Sequence, residues 1–194
     1  SIFNSLFLES SLHKLSTYLS KDTIKALVRL PQLNINKNLS DYNYEDVPSA
    51  RDMKFGIAVA EWNKNITEGL FKGALNTLIN FGCKEKNIIR KNATGSFELP
   101  LVAQFFFDST DVDAVICLGS VIQGETKHFD YVCQSTALGI KDVSLKYNKP
   151  VIFGVLTDST MQQAIDRSGG KHGNKGTEAA ISAIKMVKLK SDLY

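Results

Sequence analysis

Between an apolar run, Ala114-Val-Ile-Cys-Leu118, and a long helical pattern lies Gly119-Ser-Val-Ile-Gln-Gly-Glu-Thr-Lys-His-Phe-Asp-Tyr131. A Gly-containing turn between a buried strand and a helix start exposes backbone N–H groups, which together with the helix dipole favour an anion such as phosphate. His128 falls in the first helical turn, where an imidazole can give or accept a proton near neutral pH. The pair implies proton-transfer chemistry on a small phosphorylated substrate. A helix-start histidine satisfied by backbone is the plainer alternative. The spacing from Gly119 to Gly124 and Thr126 imitates a nucleotide-binding loop, but the position that needs Lys holds Glu125, whose charge repels a triphosphate.

Two further groups could join that chemistry. Trp62 and Asn63 follow a first apolar run, and Thr94-Gly95-Ser96-Phe97-Glu98 follows a second. An indole offers a stacking face for a planar ring, and a hydroxyl with a carboxylate can hold its polar substituents. Taken singly, each has a structural reading: Trp62 as core packing, Ser96 and Glu98 as helix caps. Only their convergence gives them a joint use.

The elements that must position them are legible from periodicity. Strands are expected at Phe55–Ala60, Asn87–Arg90, Ala114–Ile122 and Val151–Leu156. Helical spacing covers Ile66–Phe81, with Gly82 as its stop, a short segment from Pro100 to Phe107, and His128–Tyr147, closed by Asn148-Lys-Pro150. Ser159-Thr-Met-Gln162 has capping-box spacing for a helix running to Ser168, and a last helix is expected from Asn174 to Leu189. Uniformly apolar strands alternating with helices imply an α/β fold: a three-layer α/β/α sandwich around a four-stranded, mainly parallel, flavodoxin-like sheet. Ligands of such sheets gather outside the carboxyl ends of the strands, where all three groups fall.

Composition excludes several classes. The 194 residues suffice for one full domain and a tail, and 43% hydrophobic with 22% charged residues is ordinary for a globular protein. A net charge of +3, without a basic run interleaved with aromatics, argues against nucleic acid. No apolar run approaches the ~20 residues of a membrane span. Three cysteines, Cys83, Cys117 and Cys133, form neither a disulfide framework nor a C-x-x-C pair, which fits a reducing, cytoplasmic location. None of His13, His128 and His172 stands four residues from another, so no metal motif is present.

Residues 1–37 read as a separate arm. Leu8, Leu12, Leu15 and Leu19 recur at helical spacing beside Lys14, Lys21, Lys25 and Arg29, and Pro31 ends the pattern. A transit-like or membrane-surface amphipathic helix is one reading; Glu9 and Asp22 dilute it, and an extra helix or disordered arm is preferred. A polar, extended connector is expected over 38–53 and the main domain over 54–194.

Five ordered blocks identify that domain by resemblance. Trp62-Asn-Lys-Asn-Ile-Thr67, Gly95-Ser-Phe-Glu-Leu-Pro100, Gly124-Glu-Thr-Lys-His-Phe-Asp-Tyr131, Gly154-Val-Leu-Thr157 and the run from Gln163 to Ala180 closely resemble the lumazine synthase family of riboflavin biosynthesis, over roughly residues 38–194. The resemblance implies condensation of 5-amino-6-(D-ribitylamino)uracil with 3,4-dihydroxy-2-butanone 4-phosphate to 6,7-dimethyl-8-ribityllumazine, without cofactor or metal. It implies that Trp62, flanked by Asn63, stacks on the pyrimidine, and that Gly95, Ser96, Phe97 and Glu98 hold ring and ribityl chain. Ser120, Val121 and Ile122 would line the ring, while Gly124, Glu125 and Thr126 offer donors to the phosphate. His128 would shuttle protons, and Arg167 would bind phosphate within a network containing Lys175 and Glu178. Phe153 matches a residue contributed by an adjacent subunit.

By the same resemblance the chain forms a homo-pentamer or a 60-subunit icosahedral shell with active sites between subunits, and riboflavin synthase is a candidate partner. The short Gly169-Gly-Lys-His-Gly173 linker resembles shell-forming members, and the shell is the preferred reading although the arm works against its closure. Thr94 departs from the family, which commonly has Pro there. A catalytically idle homologue, binding flavin or lumazine or serving as a shell, is the alternative; filled reacting positions argue against it.

Overall fold

The computed structural model describes residues 43–194, so the expected amphipathic helix and the start of the connector lie outside the described residues. Strands β1 (Phe55–Ala60), β2 (Ile88–Ala93), β3 (Ala114–Ile122) and β4 (Val151–Asp158) form one sheet in the order β2-β1-β3-β4, every pairing parallel. The helices are α1 (Lys64–Asn80), α2 (Leu99–Ser109), α3 (His128–Tyr147), α4 (Met161–Arg167) and α5 (Lys175–Leu193). Side chains alternate between two cores. Phe55, Ile57, Ile116 and Leu118 pack with Leu70 and Leu78 of α1 and Ile181 and Ile184 of α5. Val115, Cys117 and Val155 pack with Ala103 and Phe106 of α2 and Ile140 and Val143 of α3. This is the expected three-layer, flavodoxin-like α/β sandwich.

The central strands are apolar because they are covered on both faces: all six residues of β1 are buried. Edge strand β2 carries Arg90, Lys91 and Asn92, of which Lys91 and Asn92 are exposed. Helices α1 and α5 cross closely, since a Cβ on Gly176 would stand 1.9 Å from the Leu70 carbonyl oxygen. Asn174 locks the crossing: its side chain accepts from the Gly176 and Thr177 N–H groups and donates to the Gly69 carbonyl.

Several local details differ from the sequence reading. The capping box sits one residue later than expected, with Thr160 as cap and Gln163 reaching back, because β4 continues through Thr157 and Asp158. Strand β3 keeps its expected bounds, so of the Gly119–Tyr131 stretch only Gln123–Lys127 form the loop. The Gly169–Gly173 linker lies within a small antiparallel hairpin, β5 (Ser168–Gly170) with β6 (Gly173–Asn174). In the stretch expected as a polar connector, Tyr44–Asp46 forms a 3-10 turn, and Val47 and Ala50 are buried in the α1/α5 core.

Candidate active site

Asn63 fixes the exit from β1. It adopts left-handed backbone angles (φ 55°, ψ 45°), its carbonyl accepts the N–H groups of Ile66 and Thr67, and its Nδ2 donates to the Ser120 carbonyl at 3.0 Å. The side chain is thus committed to β3 and does not cap α1. This turn presents Trp62 to solvent, 63% exposed, which excludes the core-packing reading.

The loop after β2 meets that indole. A Cβ on Gly95 would stand 2.9 Å from Trp62 Cε3, and the Gly95 N–H donates to Glu98 Oε2 at 3.0 Å. Glu98 does act as a local cap, as its plainer reading held. Ser96 is buried against Gly119, where a Cβ would come within 2.5 Å of Ser96 Oγ, and its carbonyl accepts from Thr136 Oγ1 at 3.1 Å. Phe97 is exposed and Thr94 lies on the surface. The structure therefore brings together Trp62, Asn63, Gly95, Ser96, Glu98 and Ser120.

Ser120 is 4% exposed and its hydroxyl has no hydrogen-bond partner. Val121 and Ile122 are half-buried on opposite sheet faces, and Gln123 begins the loop by donating its N–H to the Asp158 carbonyl at 2.9 Å. No atom lies within 4 Å of a Cβ built on Gly124, so packing does not require glycine there. Glu125, Thr126 and Lys127 are exposed; Thr126 Oγ1 accepts the His128 N–H at 3.4 Å, and Lys127 provides no side-chain cap. In the first turn of the 20-residue α3 the Asp130 and Tyr131 N–H groups donate to the Lys127 carbonyl, and the positive end of the helix dipole lies at the loop beside an exposed imidazole.

A second set surrounds α4 and α5. Arg167, its side chain 12% exposed, donates Nη1 to the His172 carbonyl and pairs with Glu178 Oε1, each at 2.8 Å. Lys175 Nζ meets Glu178 Oε2 at 3.1 Å. Burial alone would push the Glu178 carboxyl up, but the combined pull of Arg167 and Lys175 outweighs it and holds the group below its ordinary value. Phe153 stands apart from the Trp62 set. It lies in mid-strand opposite Cys117 and packs toward the α2/α3 core.

Two features were missed in the sequence. Asp158 closes β4 with Oδ2 buried and unpartnered; burial pushes its carboxyl up, against the opposing pull of Arg167. A charged residue closing an apolar strand was the available signal. Where β1 and β2 meet the start of α1, a polar cavity of about 290 Å³ is lined by Glu61, Lys64, Glu68, Arg90 and Asn92 among others. Its Arg90 donates Nη1 to Glu68 Oε2 at 3.0 Å and lies 4.3 Å above the Phe71 ring. In sequence these are unremarkable surface charges of a helix and an edge strand. Among the described residues, no group of three or more His, Cys, Asp or Glu is placed to hold a metal, and no helix is long and apolar enough to cross a membrane.

A parallel sheet whose carboxyl edge carries an aromatic platform, a loop at a helix N-terminus and an imidazole is that of a small-ligand α/β protein of flavodoxin-like fold. Comparison with known proteins narrows the class. The profile of the family described as 6,7-dimethyl-8-ribityllumazine synthase matches residues 52–191. Proteins of that name from Cytophaga hutchinsonii and Flavobacterium johnsoniae are each 57% identical, over 152 and 155 residues. These alignments cover 78% and 80% of this chain, and 95% and 82% of the relatives. That from Porphyromonas gingivalis is 54% identical over 152 residues, covering 78% of this chain and 94% of the relative. The chain belongs to the 6,7-dimethyl-8-ribityllumazine synthase family.

Proposed function

We propose that this chain condenses 5-amino-6-(D-ribitylamino)uracil with 3,4-dihydroxy-2-butanone 4-phosphate to form 6,7-dimethyl-8-ribityllumazine, releasing phosphate and water. The observation that carries the reading is the junction of Trp62 and Gly95 with Ser96, Glu98 and Ser120, on the sheet edge that also bears the His128 loop. The pyrimidine stacks on the exposed indole, while Gly95, Ser96, Phe97 and Glu98 supply polar and backbone groups to the ring and ribityl chain. Ser120, Val121 and Ile122 form the floor. Backbone N–H groups at Gly124 and Glu125 and the Thr126 hydroxyl receive the phosphate, which the Arg167 fork, set by Glu178 and Lys175, neutralises.

Imine formation joins the pyrimidine amine to the ketone carbon and releases the carbonyl oxygen as water, with protons moved by His128. Phosphate elimination then needs a proton taken from carbon while the C–O bond to phosphate breaks and the leaving anion is held; attack of the ribityl-bearing nitrogen on the remaining carbonyl carbon closes the ring with loss of a second water. Positioning two substrates in register supplies much of the acceleration, so His128 assists without being indispensable.

Phe153 sits remote from its own Trp62, which supports a site completed by a second copy of the chain, with Phe153 reaching over the neighbour's substrate. Both helices of the α2/α3 layer carry exposed apolar side chains, Leu101 and Phe105 on one and Tyr131, Leu138 and Leu145 on the other, and Phe97 precedes them. Such a surface suits burial in a homo-oligomer, a pentamer or a shell of pentamers. The free cysteines suit a cytoplasmic location.

The experiment is to mix protein with both substrates in metal-free buffer and follow the lumazine chromophore and free phosphate together. Stoichiometric appearance of both above background is the expected result. Tight binding of a substrate with no product would refute the activity.

A further inference from the structure

Asp158 is built into the base of the anion loop. Its carbonyl receives the Gln123 N–H at 2.9 Å, and it pairs in register with Ile122, the last residue of β3. Strand alternation puts its side chain on the face of Leu156, toward α1, α4 and α5. One carboxylate oxygen is buried without a hydrogen-bond partner, although buried polar atoms are almost always paired.

The cation that acts on Asp158 is Arg167, through space, while its Nη1 is committed to Glu178 and the His172 carbonyl. The other titratable groups around the seat are Lys175 and Glu178 on α5, Lys171 and His172 in the hairpin, and Glu125 and His128 on the loop side. Lys171 is matched by Asp166 at 3.2 Å. Lys175 pairs with Glu178, and Arg167 acts on both Glu178 and Asp158, so these two cations and two carboxylates sum to zero while Asp158 is ionised.

A neutral cluster is a poor seat for a dianion. We propose that Asp158 is a proton-coupled counter-charge of the anion seat, which takes up a proton as a phosphate-type dianion binds and gives it back as the anion leaves. The inference rests on reading the loop with Arg167 as that seat. Protonation removes the repulsion between the carboxylate and the anion, and leaves the Arg167 charge free to act on it. On return of the proton to solvent, the restored carboxylate favours anion release. Burial already raises the Asp158 carboxyl, and an arriving dianion pushes it further in the same direction. Asp158 touches no reacting atom in this account; it is a positioning residue.

The test is calorimetric titration of the full chain with sulfate, which does not itself titrate above acid pH, in two buffers of different protonation enthalpy. Wild type is expected to take up a fraction of a proton per sulfate near pH 6. Asp158→Asn should take up less and bind sulfate about tenfold more tightly at pH 7.5, the two proteins converging as pH falls. His128→Gln separates the imidazole's own proton uptake and should retain the Asp158 part. Asp158→Ser repeats the comparison if the asparagine variant folds poorly. Proton uptake and affinity equal to wild type in a folded Asp158 variant would overturn the inference. If Arg167→Ala left sulfate affinity unchanged, the anion seat itself, and the inference with it, would be overturned.

Discussion

The indole of Trp62 rests on the backbone of Gly95, so close that a Cβ on residue 95 would stand 2.9 Å from Cε3. The indole and the loop after β2 are thus one unit, although they stand 33 positions apart in the chain. Gly95→Ala should displace the ring and raise the pyrimidine KM roughly tenfold. Trp62→Ala should raise it by about 10- to 100-fold, the range set by losing one base-to-aromatic stack. Neither should change the KM of the phosphorylated butanone by a comparable factor. Steady-state kinetics with each substrate varied checks this, and an unchanged pyrimidine KM in Trp62→Ala would remove the stacking role.

Arg167 should show the converse selectivity. In the proposed reaction it supplies a charged fork to phosphate, and losing a charge-assisted hydrogen bond costs about 1.5–3 kcal/mol, so Arg167→Ala should weaken the phosphorylated substrate by about 10- to 150-fold. Pyrimidine affinity should hold. Equal losses for both substrates would mean that the substitution has disturbed the whole site.

Gly124 isolates function from folding. Its Cβ would meet no atom within 4 Å, so Gly124→Ala should leave stability within about 0.5 kcal/mol of wild type. If the loop receives phosphate as proposed, a methyl group there should nevertheless raise the KM of the phosphorylated substrate. Thermal unfolding paired with kinetics reads both, and a normal KM would place the phosphate elsewhere.

Two carboxylates around Arg167 should titrate with opposite consequences for stability. Glu178 is held below its ordinary value of 4.5, so its stabilising contribution is present above that pH and disappears as pH falls through its folded value. The stability lost in Glu178→Gln should therefore shrink on acidification. Asp158 is shifted upward, so its ionised form opposes folding at pH 7; Asp158→Asn should raise Tm there, and the gain should fade as pH falls. Denaturation curves from about pH 2.5 to 8 would show both slopes, and parallel curves would refute the charge arrangement.

The sequence by itself determined the layers and the carboxyl edge. Strand β3 and helix α3 fall on the bounds their periodicity implies, because a strand buried on both faces must be apolar throughout and a long amphipathic helix repeats its pattern over several turns. The ordering of Trp62, Ser96 and His128 after successive strands followed from the parallel topology alone. Tertiary structure decided what depends on contacts distant in sequence. The Asn63 amide could have capped α1, yet it reaches Ser120 on β3. The Gly169–Gly173 segment reads as a loop, but it forms a hairpin through Asn174, which also grips α1. Asp158 looks like a strand-end surface charge until β3 and Arg167 enclose it. Periodicity records which face of an element is buried; it carries nothing about which distant polar group will find its partner, and which will be left without one.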